Sequence, residues 1–330
     1  ATRGVPMPHA IRIHAHGGPE VMRWEAVPSV APGRGEALVR QTAVGLNFID
    51  IYERTGLYGG QLPTGLGREA AGVVEAVGPG VRHLKPGDRV AYASPAPGAY
   101  TDERVMPVGN LVPVPEGVSD RLAAAALLKG MTAQVLLRRT YKVRKGTVVV
   151  VHAAAGGVGS ILVQWALHLG AEVIAVVGSD AKATTVRAMG CKEVLILGRD
   201  DLAARVKELT GGQGAHVVYD SVGKDTFFAS LDSLRPLGLM VTYGNASGPV
   251  PPIAPLELAR RGSLFLTRPV LFSYVSKRAD LLRSAAELFD VIGRGIVRIE
   301  IGQTYPIRDV QQAHRDLQDR RTIGSTVLLP

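Results

Sequence analysis

The chain has 330 residues, a formal net charge of +9, 46% hydrophobic residues and one cysteine, Cys191. This length exceeds one typical hydrophobic core and predicts two domains. The composition excludes a disordered chain, and a single cysteine excludes internal disulfides and a multi-cysteine zinc site. No apolar run approaches the roughly 18 residues of a membrane span, and no signal-peptide pattern opens the chain, so we expect a cytoplasmic protein without membrane contact.

The basic charge raises the question of a nucleic-acid partner, since the sequence pI is about 9.8. The basic residues are scattered, however, and occur as local pairs such as 138–139, 260–261 and 320–321. A solvated surface that also attracts a phosphorylated cofactor accounts for the charge with fewer assumptions. We therefore expect no nucleic-acid partner.

The first third of the chain is predicted to be β-rich, because short alternating stretches are separated by Gly and Pro. The predicted strands here are 10–14, 36–44, 73–77 and 89–92. They indicate an irregular β-barrel-like domain. From Asp120 the pattern changes to helix, with predicted helices at 123–128 and 132–139.

The centre of the chain begins with an apolar strand, a turn of small residues and an amphipathic helix, and a second apolar strand follows. Ala154, Gly156 and Gly159 stand where the dinucleotide fingerprint G-x-G-x-x-G has its small residues, with alanine in the first place. Such a turn lets backbone N–H groups and a helix N-terminus approach a pyrophosphate. We predict a dinucleotide site that includes Gly156, Gly157, Val158, Gly159 and Ser160; the alternative is that these glycines only permit a close helix–strand crossing.

Strands and helices then alternate, which predicts a doubly wound parallel sheet. Its predicted strands are 147–152, 172–177, 193–197, 216–220, 238–243 and 263–268. A helix at 280–292 and a strand at 325–329 end the chain. We therefore predict an α/β protein in which a dinucleotide-binding domain, 126–269, is inserted into a catalytic domain formed by 1–125 and 270–330.

Several long motifs make this chain similar to a known family. They are HGGPEV (16–21), GLNFIDIYERTGLY (45–58), HAAAGGVG (152–159), YDSVG (219–223), YGNASG (243–248) and TRP (267–269). Together they resemble the medium-chain dehydrogenase/reductase superfamily and, within it, the bacterial NADPH:quinone oxidoreductases related to zeta-crystallin. The resemblance implies a Rossmann cofactor domain inserted into a GroES-like domain, and it runs from about Pro8 to the end.

One departure from the zinc-dependent members of the superfamily concerns the metal. Those members carry Gly-His-Glu with a zinc-binding histidine, whereas this chain has Gly67, Arg68 and Glu69. Arginine stays protonated and cannot bind zinc. Without a Lewis acid, the protein cannot oxidise an alcohol through a metal-bound alkoxide. We therefore expect a substrate that needs no such activation, an electron-poor quinone.

The cofactor preference depends on the end of the second strand of the sheet. NAD-preferring sites place an acid there, roughly 20 residues past the glycines, to bind the ribose 2′-hydroxyl. Here Gly178 leaves room for a 2′-phosphate and Lys182 can supply a positive charge, so we predict NADPH. Asp180 argues against this, and in the alternative interpretation Lys182 is only a solvated helix-face residue.

The resemblance also implies individual cofactor contacts. It assigns Lys182 and Arg320 to NADPH binding, and it marks a departure at Leu197, where related enzymes tend to have tyrosine. The further residues that we assign to the cofactor site are Phe48, Ile49, Asp50, Gly130, Thr132, Val222, Tyr243, Gly244, Asn245 and Pro269. The alternative for any one of them is a packing role alone.

Hydride transfer to a quinone leaves negative charge on oxygen, which hydrogen-bond donors stabilise. Asn47 and Tyr52, on the motif that faces the nicotinamide in the family, are the predicted catalytic donors, and His152 is interpreted as a core residue. Two rival functions stay open: a zinc-free reductase of the C=C bond of enones, alkenals or enoyl thioesters, and an RNA-binding or structural protein. The apolar edge strand 263–268 predicts a homodimer.

Overall fold

Residues 7–330 are described by a computed structural model, in which the chain divides into two compact units. Unit 1 consists of the described part of Ala1–Leu128 together with Leu281–Ala285 and Ile299–Pro330. Unit 2 consists of Lys129–Asp280 and Ala286–Arg298. Most of the segment 270–298, which was expected with the catalytic domain, therefore packs within unit 2. As functional domains, the expected ranges stay a prediction.

The strands of the described residues are numbered in chain order. They are β1 His9–Ile13, β2 Arg23–Ala26, β3 Glu36–Leu46, β4 Thr64–Gly65, β5 Glu69–Val77, β6 Arg89–Ala93, β7 Glu103–Pro107, β8 Val112–Pro113, β9 Val148–Val151, β10 Glu172–Val177, β11 Glu193–Ile196, β12 Ala215–Asp220, β13 Leu234–Thr242, β14 Phe265–Thr267, β15 Ile301–Pro306 and β16 Ser325–Leu329.

The α-helices are numbered in the same way. They are α1 Phe48–Thr55, α2 Asp120–Val135, α3 Gly157–His168, α4 Asp180–Ala188, α5 Leu202–Leu209, α6 Phe227–Asp232, α7 Leu256–Arg260, α8 Leu271–Tyr274, α9 Arg278–Gly293 and α10 Val310–Gln318. A π-helical turn, Leu136–Thr140, continues α2.

Unit 1 is built on a sheet with the order β15-β16-β3-β5-β6-β8, in which β7 also pairs with β3. A smaller sheet has the order β2-β1-β4. The long strand β3 pairs antiparallel with β5, β7 and β16, and its inward residues, such as Val39 and Val44, are completely buried. The expected β-rich first domain is confirmed.

Unit 2 contains a parallel sheet with the order β11-β10-β9-β12-β13-β14, which is the doubly wound arrangement predicted from the sequence. Its central strand β9 consists of four valines that are at most 9% exposed. Such a run is typical of a strand covered on both faces. Because the strands are parallel, their carboxyl ends, and the turns that follow them, lie along one edge.

Several predicted elements differ from the structure. The two helices expected at 123–128 and 132–139 are one helix, α2, because Gly130 does not break it. An added Cβ at Gly130 would lie 2.2 Å from Leu288 Cδ1, so this glycine serves close packing against α9. The last sheet strand is shorter than expected, and α1, β7, β15 and α10 had no counterpart in the sequence-based prediction.

Candidate cofactor and substrate residues

The small-residue turn after β9 is shaped by steric contacts. Ala153 has a left-handed backbone with φ of 48°, and Gly156 is the residue before α3. An added Cβ at Gly159 would lie 2.1 Å from the carbonyl oxygen of Ala153, which permits only glycine there. The first N–H groups of a helix have no intrahelical acceptor, so Gly157, Val158 and Gly159 can offer theirs to an anion. Ala154, the first fingerprint position, instead donates its N–H to Val176 O at 3.1 Å.

The end of β10 is open at the position where an acid would discriminate against NADPH. An added Cβ at Gly178 would have no atom within 4 Å. The next residue, Ser179, caps α4 by accepting the backbone N–H of Lys182 at 3.3 Å, which fixes the main chain at that lysine. The Lys182 side chain is half-buried. This geometry fits a bulky, charged group on the ribose.

Asp180, the residue that argued against NADPH, is held by a neighbouring cation. Arg199 donates two hydrogen bonds to its carboxylate, at 2.9 and 3.3 Å. These bonds and the positive charge of Arg199 lower the pKa of Asp180. The carboxylate is therefore engaged on the side of β11, and Arg199 adds a positive charge to the surface around Gly178.

The turn after β12 is held by hydrogen bonds to a buried carboxylate, that of the last residue of β12. Asp220 is completely buried, and its Oδ1 accepts the backbone N–H groups of Val222 and Gly223 at 2.8 and 3.0 Å. Its Oδ2 accepts the hydroxyl of Ser230 at 2.8 Å, and that hydroxyl also meets His152 Nε2 at 2.9 Å. His152 is 0% exposed, and burial lowers its pKa, so its interpretation as a core residue is confirmed.

Three further sheet turns carry predicted cofactor residues. After β13, Tyr243 donates its N–H to Asp220 O at 2.8 Å, and an added Cβ at Gly244 would lie 2.5 Å from Ser221 O. Asn245 follows in the same turn, and Pro269 follows β14. Leu197, just past β11, packs partly against the core of unit 2.

The remaining unit 2 predictions, Gly130 and Thr132, lie inside helix α2 rather than in a turn. Arg320 belongs to unit 1, where its backbone has a positive φ of 59°. Unit 2 therefore brings together, at one edge of its sheet, Gly156, Gly157, Val158, Gly159, Ser160, Gly178, Lys182, Val222, Tyr243, Gly244, Asn245 and Pro269.

The predicted substrate-side residues lie at the start of α1 in unit 1. Asn47 follows β3 and directly precedes the helix, and it is 9% exposed. Its side-chain amide donates to Glu69 Oε1 at 2.8 Å, and its backbone N–H donates to Asp50 Oδ2 at 2.9 Å. Asp50 is completely buried, and its carboxylate supports the start of the helix; its assignment to the cofactor site stays a prediction.

Three aromatic side chains form a cluster at α1 and the turn that follows it. The ring of Tyr52 lies 5.3 Å from that of Tyr58 and 6.2 Å from that of Phe48. Tyr52 is 7% exposed, whereas Tyr58 is 47% exposed. Ile49 lies beside them and is half-buried. The planes of the two ring pairs are tilted by 33° and 57°, so the cluster offers aromatic surface beside the start of α1.

Arg68 occupies the position of the zinc-binding histidine and is engaged by protein groups. Its guanidinium donates to the carboxylate of Glu53 and to the carbonyl oxygens of Ser94 and Pro95. Within residues 7–330, no group of three or more His, Cys, Asp or Glu side chains is arranged to hold a metal ion. The donor set present does not fit zinc.

A separate cavity of about 400 Å³ lies at the opposite edge of the unit 2 sheet. It is lined by residues before β9 and by His216 near the start of β12. It is therefore remote from the turns at the carboxyl ends of the strands.

Two family models match the chain. An alcohol dehydrogenase GroES-like domain matches residues 33–116, and a zinc-binding dehydrogenase matches residues 157–286. Quinone oxidoreductase of Pseudomonas aeruginosa is 49% identical over 325 residues, covering 98% of this chain and 100% of the relative. The chain belongs to the quinone oxidoreductases of the medium-chain dehydrogenase/reductase superfamily. The resemblance drawn from the motifs is confirmed.

Two other similar proteins bear on function. A 2-haloacrylate reductase from a Burkholderia species is 47% identical, covering 96% of this chain and 98% of the relative. The crystal structure of Escherichia coli quinone oxidoreductase complexed with NADPH has a TM-score of 0.96 at 44% identity, covering 98% of this chain and 100% of that one. The predicted fold class, a Rossmann-like domain with a GroES-like domain, is confirmed.

Some groups that shape the candidate site were missed by sequence reasoning. One of them is the capping role of Asp50, which was not predicted. The sequence does carry its signal, because Asn47 and Asp50 have the spacing of an N-cap residue and the third residue of a helix. Glu69 follows Arg68 in the quoted motif, but nothing in the sequence links it to Asn47. The pairing of Asp180 with Arg199 depends on adjacent parallel strands, which chain order alone does not bring together.

Proposed function

We propose that this protein reduces quinones with NADPH by hydride transfer and without a metal ion. The observation that carries the proposal is the similarity at 45–49% identity, over nearly the whole chain, to three bacterial quinone oxidoreductases. The residues described above would bind NADPH in unit 2 and supply hydrogen-bond donors in unit 1.

The turns of unit 2 fit a phosphorylated dinucleotide. The backbone N–H groups at Gly157, Val158 and Gly159 would hold the pyrophosphate, at the positive end of the α3 dipole. The open position at Gly178 and the charge of Lys182 would accept the 2′-phosphate. When bound, NADPH supplies a hydride to the acceptor.

Negative charge that develops on a quinone oxygen needs hydrogen-bond donors. An amide side chain carries two N–H groups, and Asn47 commits one of them to Glu69. The other can donate to the substrate, and Glu69 fixes the plane of the amide while it does so. Tyr52, in its aromatic cluster, would supply a second donor and a flat surface for the ring.

A quinone panel tests the proposal. Oxidation of NADPH is followed by absorbance with 1,4-benzoquinone, a naphthoquinone and an alkyl-substituted quinone, with and without EDTA. We expect turnover that EDTA does not change. Failure to reduce every quinone, together with tight NADPH binding, would reject the substrate and retain the cofactor.

A second candidate function is reduction of a C=C bond conjugated to an electron-withdrawing group. It is favoured by the 47% identity to a 2-haloacrylate reductase. Such a substrate also accepts a hydride without a metal and develops charge on a carboxylate or carbonyl oxygen. 2-Chloroacrylate and an enone in the same assay separate the two functions by the ratio of their kcat/KM values.

We also propose a homodimer that pairs the β14 edge of the unit 2 sheet. Phe265 and Leu266 on this strand are 60% and 38% exposed. An apolar edge strand is aggregation-prone unless it is covered, and a second copy would cover it. Within residues 7–330 no helix is long and apolar enough to cross a membrane. The expected cytoplasmic location stays a prediction.

A further inference from the structure

A line of buried polar side chains in unit 1 runs from Arg54 to Asp50. Arg54 Nη1 lies 2.8 Å from His314 Nδ1, and His314 Nε2 lies 3.0 Å from the hydroxyl of Tyr100. That hydroxyl lies 2.7 Å from Asp50 Oδ2. All four side chains belong to residues no more than 1% exposed.

The direction of each hydrogen bond follows from the chemistry of its two ends. A guanidinium only donates, so Nδ1 of His314 accepts from Arg54 and the ring proton is on Nε2. Burial, and then the charge of Arg54, lowers the pKa of His314 to about 3, so the ring is neutral. His314 Nε2–H therefore donates to the oxygen of Tyr100, and the Tyr100 hydroxyl donates to Asp50.

The tyrosine keeps its proton under all ordinary conditions. Burial, and then the neighbouring Asp50, raises the pKa of Tyr100 well above its usual value. The four side chains thus form a relay, in which each hydrogen bond is donated in the same direction. The relay begins at the buried cation of Arg54 and ends at the buried carboxylate of Asp50. Gln318 completes the cation end by accepting from Arg54 Nη2 at 2.8 Å.

The carboxylate end touches the residue that we propose as the donor to substrate. Asp50 Oδ2 accepts the backbone N–H of Asn47, while Glu69 holds the Asn47 amide. Asn47 is therefore fixed at two atoms, both by buried carboxylates. One of these carboxylates, Asp50, is itself held by the relay from α10.

We propose that Tyr100 and His314 are positioning residues, which hold Asp50 so that it fixes Asn47 and the start of α1 for donation to the substrate oxygen. The inference rests on the proposed function only for the role of Asn47. Neither residue touches a reacting atom. A small shift of Asn47 matters because catalytic groups must be placed to within a fraction of an ångström.

Tyr100→Phe is the direct test, because it removes one hydroxyl and leaves the ring. Tyr92→Phe is the matched control for the loss of one buried tyrosine hydroxyl in unit 1. The Tyr92 hydroxyl donates to Gln41, whose amide donates to the carbonyl oxygens of Ala99 and Thr101, so this variant leaves the Tyr100 hydroxyl and its bond to Asp50 in place. Both variants lose one buried hydrogen bond and should melt a few degrees lower. We expect only Tyr100→Phe to lower kcat, by about ten-fold or more, with the KM for NADPH changed less than about two-fold.

Amide hydrogen exchange gives a second measurement that needs no substrate. In Tyr100→Phe, but not in Tyr92→Phe, exchange should accelerate in peptides that cover 47–55. His314→Gln, which keeps one donor and one acceptor, should retain more activity than His314→Leu.

The outcomes separate the inference from the proposed function. If wild type reduces no acceptor but the exchange difference is seen, the quinone proposal fails and the positioning of α1 stands. If kcat and α1 exchange are the same in Tyr100→Phe and Tyr92→Phe, the relay has no positioning role and the inference is overturned.

Discussion

Removal of the Lys182 side chain is the sharpest test of the cofactor site. Ser179 caps α4 through the backbone N–H of Lys182, so Lys182→Ala leaves that hydrogen bond in place. Alanine is also the best helix former, and the helix itself should not change. The substitution therefore removes one positive charge beside the open position at Gly178 and leaves the capping hydrogen bond of α4 in place.

The expected loss follows from the strength of one charge-assisted hydrogen bond. Such a bond is worth about 1.5–3 kcal/mol, which corresponds to about a ten- to hundred-fold rise in the KM for NADPH. The KM for NADH, which has no 2′-phosphate, should hardly change. Lys207→Ala, at an exposed lysine on α5 of the same unit, is the matched control and should change neither value.

Two results would refute this reasoning. A wild-type preference for NADH would mean that Asp180 leaves Arg199 and binds a ribose 2′-hydroxyl. Equal losses with both cofactors in Lys182→Ala would mean that the lysine acts on a part common to NADPH and NADH. Steady-state kinetics with both cofactors, supported by binding measurements with each, decide between these cases.

Three other predictions concern metal, assembly and acid stability. The purified protein should contain no stoichiometric zinc and keep its turnover in EDTA, because Arg68 fills the ligand position; one tightly held zinc per chain that turnover requires would contradict this. Sedimentation should show a dimer at micromolar concentration and a monomer for Phe265→Lys, and a monomeric wild type would count against edge pairing. The pKa of His314 is about 3 in the folded protein, against an ordinary 6.5. The unfolded protein therefore binds more protons than the folded one between pH 6.5 and 3. As a result, the free energy of unfolding falls as the pH is lowered through this range, by up to about 1.4 kcal/mol per pH unit. Urea unfolding at several pH values should show a shallower slope for His314→Gln, and equal slopes would exclude His314 as its source.

The parallel sheet was predictable because its strands are buried on both faces and read as continuous apolar runs, as the valines of β9 do. Prediction was weaker at the edge strand of the sheet and in the helix that contains a glycine. β14 is reduced to Phe265–Thr267, since an edge strand has one neighbour to set its length. Helix α2 was divided at Gly130 because sequence shows a glycine but not the Leu288 side chain that requires it.

The candidate site was predictable where a local motif defines it, as at Gly156 and Gly159. The groups that support it were not, because they come from distant parts of the chain. His314 meets Tyr100 across 214 positions, and no periodicity or spacing links the two. A buried polar relay depends on the final packing of several elements, so it is visible only in the folded molecule.

The ion pair between Arg68 and Glu53 has an evolutionary consequence. Its side chains are only 13% and 10% exposed, so they were largely desolvated together. Changing Arg68 to histidine alone would leave Glu53 without this cation, and losing one partner of a buried pair costs about 3–5 kcal/mol. The chain has one cysteine, Cys191, so it lacks the cysteine ligand set of a zinc site. A change from this ion pair to the Gly-His-Glu pattern would pass through an unstable single variant, so it would require several coordinated substitutions rather than one.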